Sequence, residues 1–395
     1  MKNKMKIIHN IYSIDKTIGG PIFSMKLIAE SQAAMGHEVT VVTGQSSIHD
    51  KPILFDESVK LISIPSHTKY RYMFNWSTIV KKEIGIPDVI HTYGIWTYHN
   101  FAAYNFSIKH NIAHIIAPCG MLYKEARNKS SIIKNIVWLI YQKNILEKSN
   151  CFHAKSSQES NNLMSLFPDN KAHVIPNPLK LNDRNNNEKN KFTFIDNYIA
   201  DRKVILYIGR LVKRKGIEDL INVWNQNALS FPDWCVVIVG DDEKKGYHKI
   251  MLDQLEKCRN INYIDFANKQ SKKNNPNLII TGSLYGKQKD AIFKRASIFI
   301  NPSNFENFGM TIAEAFSYSL PVIISKNTPW TKIEDKKCGW FLNKNNRNLD
   351  NIFKSALSLE THILKKMGAN GVKVVKHLKK ENIAKQTIML YEKYI

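Results

Sequence analysis

Two carboxylates, Glu306 and Glu314, stand eight positions apart in Asn-Pro-Ser-Asn-Phe-Glu-Asn-Phe-Gly-Met-Thr-Ile-Ala-Glu-Ala-Phe, residues 301–316. Ionised glutamates only accept hydrogen bonds, so the pair suits a ligand rich in hydroxyls. Between them lies Phe308-Gly309; an apolar run, Ala296–Ile300, precedes the segment and helical spacing follows it. Strand, glycine turn and helix in succession turn backbone N–H groups toward a phosphate. A second stretch, Gly209-Arg-Leu-Val-Lys-Arg-Lys-Gly216, follows the apolar run Val204–Ile208. Gly209 permits a tight turn and Gly216 opens the next helix. Arg210 and Lys215 then meet at one helix N-terminus, where an arginine fork and a lysine point charge suit a pyrophosphate. Hydroxyls and phosphates on one ligand describe a sugar nucleotide. Each stretch also has a plainer reading: a basic surface loop, and an ordinary surface helix with Glu314 pointing away from the face of Ile312, Ala315, Phe316 and Ser319.

The elements that must position these residues read as strand then helix, repeated, the pattern of an α/β fold with parallel sheets. In the first half, strands are predicted at Lys6–Asn10, Glu38–Thr43, Val59–Ile64, Val89–Thr92, His114–Ala117, Cys151–Ala154 and His173–Ile175. Gly19-Gly20 is a turn before the helical stripe Phe23–Met35, which Gly36 stops. A polar, unpatterned run, 180–203, reads as a linker. A second series follows: strands Val204–Ile208, Val236–Gly240, Ile279–Thr281, Ile298–Asn301 and Val322–Ser325, with a helix at Ile217–Asn225. Residues 269–277 form another polar insertion. The last helix, Asn382–Tyr394, is expected to pack back on one of the halves. The expected divisions are a first Rossmann-like domain over 1–190, a second over 191–375, and a C-terminal helix over 376–395. Two doubly wound domains joined by a hinge imply a cleft lined by the C-terminal ends of their strands.

A chain of 395 residues is comfortable for two cores. No apolar stretch approaches the length that spans a bilayer. The N-terminus, Met-Lys-Asn-Lys-Met-Lys-Ile-Ile-His, reads as a first strand rather than a signal peptide. Five cysteines, at 119, 151, 235, 258 and 338, form no Cys-x-x-Cys pair. Neither a metal site nor a disulfide framework is indicated, and a reducing cytoplasm is the natural compartment. The formal net charge is +23. Nucleic acid, an anionic membrane surface and phosphorylated small molecules are the partners such a charge suits. The basic residues are spread along the chain beside asparagines, so much of the excess reads as solvated surface. What remains favours an anionic leaflet, at about 1 kcal/mol for each nearby Lys or Arg. Ile132–Leu146 is strongly apolar, with Lys129, Lys134 and Lys143 beside it. It fits either a membrane-surface helix or a buried one; apolar residues nearly all round favour burial.

In order and spacing, Gly-Arg-Leu-x-x-x-Lys-Gly, Gly282-Ser-Leu-Tyr-Gly286, Pro302-Ser-x-x-Glu-x-Phe-Gly-x-x-x-x-Glu-Ala315 and Pro321-Val-Ile resemble family 4 glycosyltransferases, retaining enzymes of GT-B fold. Thr328-Pro-Trp330 and Cys338-Gly-Trp340 are similar to a subgroup common in bacterial polysaccharide gene clusters. Gly19-Gly20, Gly36-His-Glu-Val-Thr, Pro87-Asp-Val-Ile-His91 with Gly94-Ile-Trp96, Gly120-Met-Leu122 and Val174-Ile-Pro-Asn177 resemble the same subgroup, so the likeness covers essentially the whole chain.

The resemblance implies a GT-B architecture with the C-terminal helix on the first domain. It implies that Arg210 and Lys215 bind the donor pyrophosphate, Glu306 the sugar hydroxyls and Glu314 the ribose hydroxyls. Backbone around Phe308, Gly309 and Met310 would contact sugar or phosphate. Gly19, Gly20, Gly209, Gly240 and Leu284 would complete the donor contacts. His91, His99 and Cys119 are the acceptor-side candidates. Cys119 stands where many relatives have His or Arg, and Tyr93 where a second His is frequent. A nucleotide-sugar co-substrate is expected, with no other cofactor and no metal, since no Asp-x-Asp motif ends a strand. Asp241-Asp242 would approach the nucleotide or cap the next helix. The implied acceptor is a glycan or lipid-linked glycan for surface polysaccharide, reached at the inner leaflet. The alternatives are a sugar-nucleotide epimerase or glycan phosphorylase on the same fold, and, more distantly, a nucleic-acid-binding protein; no nucleic-acid module accompanies the charge.

Overall fold

The computed structural model describes residues 4–45, 52–68, 70–128, 131–181, 194–242, 246–272 and 275–395. Half of the expected linker, 182–193, lies outside them, as do Lys129 and parts of the insertion at 269–277 and of the loop after Asp242. The chain divides into two compact units, residues 1–180 with 378–395, and residues 181–377.

Among the described residues the first unit holds eight strands: β1 Lys6–Ile11, β2 Glu38–Gln45, β3 Val59–His67, β4 Tyr72–Met73, β5 Val89–Tyr93, β6 Ala113–Ala117, β7 Cys151–Ala154 and β8 Ala172–Val174. Their order is β4-β3-β2-β1-β5-β6-β7-β8, parallel throughout except for the two-residue β4. The second unit holds β9 Lys203–Ile208, β10 Trp234–Val239, β11 Tyr263–Asp265, β12 Gln270–Lys272, β13 Leu278–Gly282, β14 Ile298–Asn301, β15 Val322–Ser325 and β16 Gly339–Leu342. Their order is β12-β11-β13-β10-β9-β14-β15-β16, parallel except for β12. Helices cover both sheets, which is why the central strands are near-continuous Val, Ile and Leu rather than alternating. In each unit the strand order reverses beside the first strand, between β1 and β5 and between β9 and β14. In open α/β sheets such a switch point opens a crevice at the C-terminal strand ends.

The helix Lys380–Tyr391 belongs to the first unit and packs on the helix Gly20–Ala34. It is fastened by polar contacts in the core. Tyr391 is fully buried, and its hydroxyl lies 2.7 Å from His91 Nδ1. His91 also meets Tyr93 and His153, both at 3.1 Å, and His9 bridges Tyr93 at 3.1 Å and Gln32 at 2.8 Å. The imidazoles of His9, His91 and His153 thus line one buried polar network rather than facing solvent.

The structure corrects the expectation that Ile132–Leu146 is buried. The segment forms a helix at Ser131–Val137, a π turn at Trp138–Gln142 and a helix at Lys143–Lys148. Gln142, Ile145 and Leu146 are buried and Trp138 and Tyr141 partly so, whereas Ile132, Ile133, Ile136, Leu139 and Ile140 are exposed. An apolar residue at almost every position conceals which face packs. The packing face is chosen by the aromatic rings and by Gln142, whose Oε1 accepts from Trp96 N at 3.0 Å.

Burial pushes His9 and His99 down to about 4 and His114 to about 3, and holds His91 and His153 well below the usual imidazole range. The unfolded chain takes up these protons near pH 6.5, whereas the folded chain refuses them until much lower. Stability is therefore full above that pH and falls as the pH drops through the window toward 4. Each such histidine costs about 1.4 kcal/mol per pH unit there. Thermal unfolding followed by circular dichroism is expected to show a lower Tm at pH 5 than at pH 7; equal values would contradict a core of neutral histidines.

Candidate active site

The loop after β9 is built on close backbone approach. Leu211 N donates to Asp241 O at 3.0 Å, Gly209 N to Val239 O at 3.0 Å, and Gly240 N to Gly282 O at 2.9 Å. The ends of β9, β10 and β13 are thereby laced together. A Cβ on Gly240 would lie 1.9 Å from Gly209 O, so no other residue fits there. The chain then makes a 3-10 turn at Lys213–Lys215, and Gly216, at φ 69°, starts the helix Ile217–Asn227. A Cβ on Gly216 would meet Pro302 O at 2.4 Å, which places this turn directly on the loop after β14.

Across that contact, Lys215 Nζ donates to Glu306 Oε1. Both side chains are nearly out of water, at 11% and 12% exposure, so each ion has chiefly the other as compensation. Asn301 Nδ2 donates to the same oxygen at 3.1 Å. The neighbouring Arg214 Nη1 reaches Phe305 O at 3.3 Å, and Asn304 N donates to Arg214 O at 2.9 Å. Burial works against the ionised Glu306, but the charge and hydrogen bond of Lys215, with Asn301 and Arg214, hold its carboxyl below the usual range. Lys215 is lowered by burial, opposed by Glu306 and assisted by Arg214 and Arg210.

Beyond Glu306, Gly309, at φ 77°, begins the helix Met310–Ser317. Phe308 is buried against Trp330, whose Nε1 donates to Phe308 O at 2.7 Å and fixes the turn. Glu314 is half-buried on that helix, and Lys289, from the helix Gly286–Arg295, grips both its oxygens at 2.7 and 2.8 Å. Leu284 is buried in the intervening loop, just after Gly282. Asp242 caps the helix Tyr247–Lys257, accepting from Tyr247 N at 2.6 Å and His248 N at 3.0 Å.

In the first unit, Gly19, at φ 85°, ends a short turn and caps the helix Gly20–Ala34, with open space where a side chain would stand. His91 and His99 are fully buried and satisfied internally; His99 meets Thr97 Oγ1 at 2.8 Å and Tyr93 O at 3.1 Å. Cys119 is half-buried at φ 56°, and burial pushes its thiol up to about 12, with Lys155 opposing and Glu159 adding. The Gly120 loop is pinned by Glu159, which accepts from Gly120 N and, at 2.7 Å, from Lys155 N. Lys155 is itself buried, with its ammonium 2.9 Å from His153 Nε2 and 5.5 Å from the Tyr93 ring; burial lowers it to about 8.

The structure thus joins Lys215 to Glu306 and gives Glu314 a lysine of its own. Sequence reasoning missed Asn301, Arg214, Lys289 and Lys155. Asn301 and Arg214 lay inside the quoted motifs, where their spacing carried a signal; Lys289 and Lys155 had none, being ordinary lysines in a lysine-rich chain. Among the described residues, no group of three His, Cys, Asp or Glu could hold a metal ion.

Two family models match, "Glycosyltransferase Family 4" over residues 18–183 and "Glycosyl transferases group 1" over residues 188–374. The chain belongs to glycosyltransferase family 4. The family's second model spans both loops that carry Lys215 and Glu306. Among curated relatives, the chain is 28% identical over 160 residues to an uncharacterized glycosyltransferase of Haemophilus influenzae, covering 40% of this chain and 38% of that one. It is 29% identical over 192 residues to the alpha-monoglucosyldiacylglycerol synthase of Acholeplasma laidlawii, covering 48% and 44%. It is 23% identical over 237 residues to the O-antigen biosynthesis glycosyltransferase WclY of Escherichia coli, covering 59% and 57%. These matches span less than two thirds of each relative. Solved structures match along the whole chain. Sucrose-phosphate synthase from Thermosynechococcus elongatus gives a TM-score of 0.74 at 19% identity, covering 98% of both chains. Anabaena Alr3699/HepE, solved with UDP and glucose, gives 0.72 at 15%, covering 98% of this chain and 100% of that one. The family 4 fold here is GT-B, with two Rossmann-like units.

Removing one partner of a buried ion pair strands the other, at about 3–5 kcal/mol. Lys215→Met alone should therefore lower the unfolding midpoint of the second unit strongly. The double variant Lys215→Met/Glu306→Gln should lose less than the two single losses summed. Urea denaturation of the four proteins measures this coupling, and strict additivity would contradict the pairing.

Proposed function

We propose that this chain is a retaining glycosyltransferase that moves a sugar from a nucleotide-diphosphate donor to an acceptor hydroxyl. The observation that carries this reading is the buried Lys215–Glu306 pair, which places an ammonium and a carboxylate side by side at the β9/β14 switch point. Lysine has three donors and uses one on Glu306, which leaves donors for phosphate oxygens. Glu306 has a second oxygen for sugar hydroxyls. Arg210 and Lys215 would bind the pyrophosphate, Glu314 the ribose, and backbone at Phe308, Gly309 and Met310 the sugar or phosphate. Gly209, Gly240 and Leu284 complete this wall. Gly20 opens the helix with an N-terminal N–H suited to an oxyanion, and Gly19, whose own N–H is donated to Lys16 O, leaves open space for a ligand to approach.

In the transfer, the bond from the anomeric carbon to the phosphate oxygen breaks and a bond to the acceptor oxygen forms on the same face. The acceptor proton passes to the departing phosphate. The protein's part is positioning and neutralisation of the charge that develops on that phosphate. Arg210 and Lys215 supply that neutralisation, so we propose a transfer that needs no metal and no cofactor besides the donor.

The Acholeplasma relative is by name a glycolipid synthase and the E. coli relative an O-antigen enzyme. These names support a glycan or lipid-linked glycan acceptor in surface polysaccharide synthesis, reached from the cytoplasmic side of the membrane. No helix among the described residues is long and apolar enough to cross a membrane. His91 and His99, being buried and satisfied, are proposed as supports of the acceptor side; Cys119 is the candidate nearest to solvent.

The test begins with a thermal-shift screen of UDP-, GDP-, ADP- and dTDP-sugars, since a donor that binds the fold stabilises it. The selected donor is then incubated with glycan acceptors, with and without EDTA, and the product read by NMR. Transfer with the donor's anomeric configuration retained and undiminished by EDTA is expected. Glu306→Gln should lower turnover about a hundredfold, the loss of a charge-assisted contact made at the transition state. Epimerised free sugar from donor alone, or turnover unchanged in Glu306→Gln, would overturn the reading.

A further inference from the structure

The first unit carries an apolar stripe that no described residue covers. Ile132, Ile133, Ile136, Leu139 and Ile140 are 76, 67, 52, 81 and 73% exposed. Their spacing places them on one side of the helical segment 131–148. The other side is anchored: Trp138 and Tyr141 pack on the cluster of Phe152, Phe167 and Leu146, and Gln142 is buried. The segment is therefore held firmly by one face while it offers the other to its surroundings. Single exposed aliphatics are commonplace, but five on one face form a patch of the kind that marks a docking surface.

Aromatic rings continue the patch along its edge. The Tyr141 ring lies 5.3 Å from Phe101 and 6.3 Å from Tyr70; Tyr98 lies 6.2 Å from Phe101 and 4.5 Å from Tyr72. The row leads to Tyr72 and Phe74, both exposed, the latter at the rim of a cavity of about 310 Å³ lined by Ile64, Pro65 and Ile79. Rings with an apolar body and a polar tip settle at the boundary between lipid and water.

Charge identifies the occupant. Residues 124–148 hold five lysines and one arginine against Glu125 and Glu147, a net of +4 in a chain of +23. Lys143 and Lys148 are exposed at one end of the stripe, and Lys124 at the other. A second copy of this chain would bring the same positive charge against its like. A bilayer with anionic headgroups complements both the stripe and its basic flanks.

We propose that segment 131–148 docks the first unit on an anionic lipid bilayer, lying in the interface with Ile132, Ile133, Ile136, Leu139 and Ile140 entering the acyl boundary and the lysines at the headgroups. One face of the segment is packed on the first unit's core and its ends carry lysines, so it lies in the interface and the attachment is peripheral. This inference is independent of the donor reading, because it is tested without nucleotide.

The test is co-sedimentation of the full chain with vesicles of phosphatidylcholine alone and of phosphatidylcholine with phosphatidylglycerol, at low and high salt. The wild type should pellet with the anionic vesicles, less at high salt, and weakly with the neutral ones. Leu139→Glu/Ile140→Glu should bind the anionic vesicles at least about tenfold more weakly, because it sets two charges where apolar side chains must enter. Both positions are exposed, so its melting curve should match the wild type. Leu229→Glu, at a position 73% exposed in the second unit, should bind as the wild type does. Three outcomes would overturn the proposal. They are no binding of the wild type to anionic vesicles, equal binding by the double glutamate variant, and a dimer in light scattering that this variant dissociates, which would make the stripe an interface between copies.

Discussion

The second unit depends on one buried electrostatic bond. Lys215 and Glu306 are both withdrawn from water, and neither charge is tolerable there without the other. Their meeting fixes the loop after β9 against the loop after β14. The local sequence serves that approach. Gly216 lets the backbone touch Pro302, Gly240 lets it touch Gly209, and Asn301 supplies a neutral donor to the carboxylate without adding charge. The result is a preformed cationic turn beside an oriented carboxylate, at the place where the strand order of the sheet reverses.

The first unit uses a different device. Its core is crossed by neutral histidines and tyrosines that hydrogen-bond one another, and one of these contacts, His91 to Tyr391, ties down the C-terminal helix. The last residues of the chain are thus a structural part of the first unit although 197 residues of the second unit intervene, from 181 to 377. That contact explains why a histidine on β5 can be essential to the fold without touching a substrate. Lys155, buried beside His153 and the Tyr93 ring, adds a further polar side chain to the same core.

Much of this was legible in the sequence. The buried parallel strands announced themselves as unbroken Val and Ile runs, and the glycines of the two loops as turns that needed them. The motif around Glu306 drew attention to the carboxylate but not to its partner, since a salt bridge between residues 91 positions apart leaves no local trace. For the same reason Lys289 was invisible. The short strands β4, β11 and β12 have two or three residues each, too few for a periodicity to appear. The stripe at 132–140 was misjudged because an all-round apolar segment looks buried. Its orientation is set by tertiary contacts of Trp138, Tyr141 and Gln142, which no count of apolar residues reveals.

The central claim is that the cations of the β9 loop, held by Glu306, engage a diphosphate. Calorimetric titration with the mono- and diphosphates of uridine, guanosine, adenosine and thymidine isolates that contribution, since each pair differs only by one phosphate. For the preferred base, the diphosphate should bind at least about tenfold tighter than the monophosphate, the worth of a charge-assisted contact. Lys215→Met should shrink that difference several-fold, Arg210 remaining, while leaving monophosphate affinity in place. Equal affinity of the wild type for both nucleotides, or a difference undiminished in Lys215→Met, would contradict the account.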